Sequence, residues 1–411
     1  MPTHVSADAF DVIVAGGGPA GATAASLLSR LGHSVLLVER EDIPRPHVGE
    51  SLIPAANEVL DRLGMIGDML ASTFPKKHAV QFVSENGRES DPFYFDEIEP
   101  TGIGHTWQVV RSEFDRMLVD NAKQNGTTVL SRTKLRPLDD SDGSFARVGL
   151  RLAGGTHHIV TNRVFIDATG QSTFIASRLG LKQTDETLRN ATVWTHFRGA
   201  HRGPGRDAGT TVILKTRDNK SWFWYIPLPD DIVSIGCTGR LEKMVNGASF
   251  APATVFEREL ASCPALQRRL ANAERVQPFR TTKDFSYKCR PGAGDGWVMI
   301  GDAYGFIDPV YSSGAFLALK SAEMAADAVH HALRCDDVSG ERLGIWQSRF
   351  DRGVENFRRL VYAFYDDDFH FGRFLGRHPE HRNRITDVLV GNVFNPDAAR
   401  MFADIEIGIP S

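Results

Sequence analysis

Hydrophobic positions recur along this chain with two periods, and their order predicts an α/β protein. Residues 11–15 (DVIVA) form an apolar run of strand length. Three glycines follow, then residues 20–31, small and apolar with helical spacing, and Gly32 at the expected C-cap. Residues 34–38 (SVLLV) read as a second buried strand. Strand, helix and strand of these lengths make a βαβ unit with parallel strands. The pattern turns helical again from about 54 to 70. Residues 76–110 read as strands, broken at Gly87, Pro92 and Pro100. Residues 112–124 are amphipathic, with Phe114, Met117, Leu118 and Ala122 on one helical face. Residues 127–170 read as strands and hairpins ending in the apolar run 164–168. From about 190 to 240, β-type segments dominate. Residues 252–273 read as a helix, 298–300 as a buried strand, 314–333 as a long helix, and 341–411 as mostly helical.

The first βαβ unit cannot close a sheet alone. Strands near 129, 164 and 298 are expected to return and complete it, so the domains are discontinuous. Neither an internal repeat nor a low-complexity linker interrupts the pattern.

Composition narrows the classes. The 411 residues are 42% hydrophobic and 24% charged, ordinary for a globular protein. The net charge is −4, and basic residues are scattered, with pairs such as Lys76-Lys77 and Arg268-Arg269 as the longest groups. A nucleic-acid partner would call for a basic face or stripe, so none is expected. Cys237, Cys263, Cys289 and Cys335 fit neither a CxxC nor a zinc spacing, and they are expected to be reduced. No metal site is expected. The first ten residues lack a signal-peptide pattern, and no run of about 18 apolar residues occurs, so neither export nor a membrane span is expected. The expected location is the cytoplasm.

Gly16-Gly17-Gly18-Pro19-Ala20-Gly21 fits GxGxxG between a strand and a helix. Glu39 stands 18 residues past Gly21, at the end of the next strand, with Arg40 beside it. Gly16 makes the tight turn, Gly18 lets the backbone approach a pyrophosphate, and Gly21 lets the helix pack on the strands. The helix N-terminus at Pro19 and Ala20 offers N–H groups and a positive dipole end to phosphates. Glu39 suits the hydroxyls of an adenosine ribose and would repel a 2′-phosphate. The pattern predicts a dinucleotide site.

Two more motifs end strands where parallel sheets bind ligands: Asp167-Ala168-Thr169-Gly170 and Gly301-Asp302-Ala303. The second leads to Asp308-Pro309, then Ser312-Ser313-Gly314 and a long helix. Here the chain resembles the flavoprotein monooxygenase superfamily. That resemblance implies FAD, with Asp302 at the ribityl oxygens, Gly314 near the flavin ring, and Arg111 at a helix start near the cofactor. The plain alternatives are a helix cap for Asp302 and a surface salt bridge for Arg111.

Three segments sharpen the resemblance: His47-Val48-Gly49-Glu50-Ser51-Leu52, Trp222-Phe223-Trp224-Tyr225-Ile226-Pro227, and Asp308-Pro309-Val310-Tyr311-Ser312-Ser313-Gly314. Together they look like the flavin-dependent halogenase family, nearer its phenol and pyrrole branch than its tryptophan branch. The second segment matches WxWxIP, which in that family keeps substrate away from the flavin. Period two puts Trp222 and Trp224 on one strand face, where filling core is the alternative. The family oxidises chloride or bromide with reduced flavin and O2, and a lysine then directs the hypohalous acid. The family's KxGAxF overlays on Lys77, with Ala79 at the glycine position and Lys76 as second choice. A solvated lysine pair at a strand start is the alternative. Ser312, Ser313 and Gly314 would line the halide site with backbone N–H groups.

Two departures stand out. Tyr311 occupies the place of the tryptophan branch's catalytic glutamate, and only about 70 residues follow the long helix. The aromatic-rich segment 357–374 reads as a packed helix or as a wall for substrate.

The resemblance implies an α/β fold of the para-hydroxybenzoate-hydroxylase kind: a Rossmann-like FAD-binding domain (1–75, 101–180 and 281–335), an inserted sheet-rich substrate domain (76–100 and 181–280) and a helical C-terminal segment (336–411). It implies an oxidoreductase using FADH2, O2 and halide on a phenol or pyrrole, free or on an acyl carrier protein. A separate NAD(P)H-dependent flavin reductase would supply FADH2. A flavin hydroxylase, a geranylgeranyl-reductase-like reductase or a flavin-binding protein without turnover would share the cofactor motifs.

Overall fold

A computed structural model describes residues 8–97, 104–138, 145–245 and 251–405. The expected break at Pro100, the residues before 8 and the end of the tail lie outside this set.

Two large sheets organise the chain. The first runs in the order Ala293–Gly294, Trp297–Met299, His157–Asp167, Ala9–Ala15, Val35–Val38, Thr128–Leu130, parallel from Trp297–Met299 onward. The strands expected near 129, 164 and 298 therefore do return to the opening βαβ unit. A hairpin of Lys134–Pro137 and Arg147–Arg151 pairs with the start of His157–Asp167. Helix Pro19–Arg30 packs on strands of this sheet, and helix Ser313–Arg334 packs on that helix. Both present alanines at their contact, and Gly301 passes so close that a Cβ there would lie 2.9 Å from the Ala20 Cβ.

The second sheet is mostly antiparallel. Its order is Gly305–Phe306, Arg280–Cys289, Lys182–Arg198, Ile232–Arg240, Ser221–Pro227, Thr211–Lys215, Ala79–Val83, Phe93–Tyr94. Ser221–Pro227 is buried on both faces. Trp222, Trp224 and Ile226 join the core shared with the first sheet, whereas Phe223 and Tyr225 pack under helices Pro252–Ala261 and Pro264–Arg269. Trp224 lies against the neighbouring strand at Gly236, where a Cβ would come within 2.2 Å of the indole.

Three elements differ from the expectation. The helix expected over 252–273 is two helices, because Pro264 has no N–H to continue the first and starts the second. The helix expected over 54–70 is split into Ala56–Arg62 and Ile66–Ala71 at Gly64, whose φ is +73°. Residues 280–289, grouped mostly with the FAD-binding unit by sequence, are a long strand of the second sheet. Two of its buried side chains hold other backbone. Ser286 Oγ accepts from the Asp308 N–H at 3.1 Å, and Tyr287 donates to the Asp302 carbonyl at 2.7 Å.

The C-terminal segment is helical over Gln347–Tyr365, Phe371–Arg377 and Arg382–Val390. All four cysteines are free, and only Cys335 is exposed. No described helix is long and apolar enough to cross a membrane.

Candidate active site

The glycine turn is tight at Gly16, close-packed at Gly21 and open at Gly18. Gly16 has φ +105°, and its N–H donates to the Val38 carbonyl at 2.8 Å. A Cβ on Gly21 would sit 1.9 Å from the Gly16 carbonyl oxygen, so the helix start and the turn are in contact. Gly18 is different. Only the tip of Arg45, at 3.9 Å, approaches a Cβ placed there, which leaves the space open. Pro19 opens the helix, and no side chain caps its N-terminal N–H groups, which remain for phosphate. Glu39 is buried; it accepts from the Gly17 N–H at 2.8 Å and the Glu41 N–H at 2.9 Å. Each oxygen keeps acceptor capacity for a ribose hydroxyl. Arg40 points away, exposed, to Ser172 Oγ at 3.2 Å. Arg45, absent from the sequence reading, stands 3.7 Å from Glu39 as a cation beside the open turn. A basic residue just past the second strand was the available signal.

The other two FAD motifs divide. Asp167 uses its carboxylate locally, accepting from Thr169 N–H and Oγ1 and from Ile175 N–H, so it shapes the strand end. Asp302 is half-buried. Burial pushes it up to about 6, and the nearby Arg111 charge opposes that rise. Arg111 is no surface salt bridge. It is 7% exposed, pairs with Asp115 at 2.9 Å, and donates to the Val48 carbonyl at 2.5 Å. It thus grips the segment 47–52 by its backbone. Gly49 takes φ +99° under the guanidinium, where a Cβ would be 2.9 Å from Nη1. His47 is pushed down to about 4 by burial and by Arg111.

That gripped segment leads to the lysine. Lys77 is 2% exposed, whereas Lys76 is exposed to solvent. The solvated-pair alternative therefore holds only for Lys76. Lys77 Nζ donates to Ser51 Oγ and to the Leu52 carbonyl, both at 2.9 Å. Ser51 Oγ meets Thr211 Oγ1 at 3.0 Å, and Gln108 Nε2 donates to that threonine at 2.7 Å. Neither of these two acceptors is a carboxylate, and burial pushes the amine down to about 7. Beside Ser51, Glu50 is buried against His196 at 3.0 Å. Sequence reasoning did not find Ser51, Thr211, Gln108 or His196 as neighbours, since no local spacing joins them.

The third segment forms a tight turn. Asp308 is fully buried and caps it through the Val310 N–H at 3.1 Å. Ser312 adopts φ +56°, and the long helix starts at Ser313. Gly314 has open space where a Cβ would project. The Trp222 and Trp224 rings lie 6.2 Å apart by centroid, tilted by 54°, and both are buried. Among the described residues, His378, His381 and Asp404 come near a metal-like grouping. Arg384 faces His381 Nδ1 at 2.8 Å and Asp404 faces its Nε2 at 2.7 Å, so both ring nitrogens are already engaged.

Comparison with known proteins now decides the family. A sequence profile described as an FAD binding domain matches residues 9–334. The flavin-dependent halogenase gsfI of Penicillium aethiopicum is 30% identical, across 86% of this chain and 70% of its own. The chain belongs to the flavin-dependent halogenase family. A 1H-pyrrole-2-carbonyl-(peptidyl-carrier protein) chlorinase of Pseudomonas fluorescens is 28% identical to this halogenase, across 94% of the chain and 90% of the relative. The solved flavin-dependent brominase Bmp2 superposes with TM-score 0.86 at 28% identity, covering 96% and 98% of the two chains. The enzyme is an FAD-dependent oxidoreductase, and its chemistry uses O2 with chloride or bromide.

Proposed function

We propose that this halogenase acts on an electron-rich ring, foremost a pyrrole held as a thioester on a carrier protein, with Lys77 receiving the halogen. The observation that carries the reading is a lysine amine buried beside Ser51 and Leu52, with its pKa near neutrality. FAD is held by Gly16, Gly18, Gly21, Glu39, Arg45 and Asp302. Reduced FAD supplies, with O2, the oxidising equivalent that turns halide into hypohalous acid.

The neutral amine has two N–H bonds and one lone pair. Ser51 Oγ and the Leu52 carbonyl match the two N–H bonds, which leaves the lone pair free. It attacks the halogen of hypohalous acid. The N–halogen bond forms, the O–halogen bond breaks, and nitrogen's lost proton leaves with hydroxide as water. The ring carbon next takes the halogen and gives its proton back to nitrogen. The protonated form instead has a third N–H to donate to the oxidant. Ser312, Ser313 and Gly314 line the halide position.

The carrier-bound pyrrole is favoured because a pyrrole chlorinase and a pyrrole brominase both match over nearly their full lengths. A phenol is the second substrate class. The sequence has no second GxGxxG unit, which supports a separate flavin reductase as the source of FADH2. The test is aerobic turnover with a flavin reductase, NADH and bromide. Pyrrolyl-carrier thioester and free phenols are offered in parallel and read by mass spectrometry. Brominated pyrrolyl thioester is expected first. Oxygen uptake without brominated product from any substrate would sink the reading.

A further inference from the structure

The turn that carries Ser312–Gly314 is gripped from outside by the C-terminal helix, beyond the end of the FAD-binding match at residue 334. Two bonds do this. Tyr365 donates to Asp308 Oδ2 at 2.8 Å, and Tyr311 donates to the Leu360 carbonyl at 3.1 Å. They hold the two ends of the segment 308–311, immediately before the left-handed Ser312. Phe364 fills the space between them, 6.2 Å from Tyr311 and 5.9 Å from Trp222 by ring centroid. The second sheet adds two contacts. Asn190 donates to Asp308 Oδ2 at 2.6 Å, and the Trp222 indole N–H donates to the Tyr365 hydroxyl at 2.7 Å. A continuous chain therefore runs from Trp222 through Tyr365 to Asp308. The first tryptophan of the WxWxIP segment spends its only polar group on this chain and aims none at a substrate.

We propose that Tyr365 and Asp308 are positioning residues that set the Ser312–Gly314 turn for halide, with Trp222 steadying Tyr365. This rests on the reading of that turn as the halide position. The physical reason is that the turn has little to fix it locally. Ser312 sits in the left-handed region, and no side chain caps the long helix. The direction of the first helical N–H groups then depends on where Asp308 and Tyr311 are pinned. Asp308 is fully buried, and a buried carboxylate that loses a donor shifts or takes up a proton. Burial already pushes it up to about 6.

The experiment uses the FAD-loaded enzyme. Bromide affinity is titrated by the change in bound-flavin absorbance, and bromide KM and kcat are measured alongside. Tyr365→Phe keeps the ring and removes both bonds. It is expected to weaken bromide binding and raise bromide KM about tenfold, with kcat at saturating bromide and FAD affinity within about twofold. Asp308→Asn should act in the same direction. Trp222→Phe keeps the Tyr365–Asp308 bond and should cost no more than about threefold. Unchanged bromide affinity in folded Tyr365→Phe protein overturns the proposal. Equal losses in FAD affinity and kcat also overturn it, because they indicate general loosening. Halogenation by wild type that is insensitive to all three variants separates failure of this inference from failure of the halogenase reading.

Discussion

The nucleotide turn and the lysine pocket are built in opposite ways. The turn is local: Gly16, Gly18, Gly21 and Glu39 lie within 24 consecutive residues, and their contacts are to each other or to the adjoining strand. The lysine pocket is assembled from afar. Lys77 meets Ser51 and Leu52, and Ser51 meets Thr211, 160 positions away in sequence. A local device survives wherever its strand and helix form. A dispersed one exists only when both sheets and the segment 47–52 are in register, so its chemistry reports on the whole fold.

The largest effect should separate ligand space from packing space within the turn. Gly18→Val fills the open position beside Arg45 and should abolish FAD binding while the protein still folds. Gly21→Val should leave no folded protein, because its Cβ collides with the Gly16 carbonyl. Flavin release on denaturation and circular dichroism together check the pair. FAD retained by Gly18→Val would remove the phosphate assignment.

Next comes the lysine. Lys77→Met keeps the apolar stem and removes the amine. Halogenation should fall by roughly 100-fold or more, within the range for losing a general acid or base, while oxygen uptake and peroxide release continue. Lys76→Ala should change turnover less than about twofold, as its side chain is in solvent. Full halogenation by Lys77→Met would take the residue out of the mechanism.

The smallest expected effect is a pH slope. Folding lowers the Lys77 pKa from 10.5 to about 7. Between these values the unfolded chain binds a proton that the folded chain does not, so this residue makes stability rise with pH from about 7 to 10.5. Below 7 its penalty is constant, on the order of a few kcal/mol. Lys77→Met should therefore gain most over wild type at and below pH 7, with the gain shrinking as pH rises. Urea midpoints at pH 6.5 and 9.5 for both proteins test it, and a pH-independent difference would contradict the buried amine.

The same contrast explains what the sequence could show. The βαβ unit, Glu39 and the GD motif were legible because strand, turn and helix are contiguous there. Lys77 was legible only through family resemblance. Its burial and its partners depend on sheet pairing across more than 100 residues. Strand 280–289 was missed because its first five residues, Arg280 to Asp284, are all polar and show no apolar alternation. Arg111 could be read as surface or site from spacing alone, and only the fold places it under the segment 47–52. The segment 357–374 announced aromatic packing, but the hydrogen bond of Tyr365 to Asp308 carried no sequence signal.

The placement of the thiols bears on how long such a catalyst lasts. Hypohalous acid that escapes attacks thiolates first, and reactivity follows thiolate fraction and access. Cys237, Cys263 and Cys289 are buried, and burial pushes each thiol up, Cys289 to about 11. They stay protonated and out of reach. Cys335 alone is exposed, at the far end of the long helix from the Ser312 turn. Stray oxidant therefore meets an exposed surface sulfur before a core one.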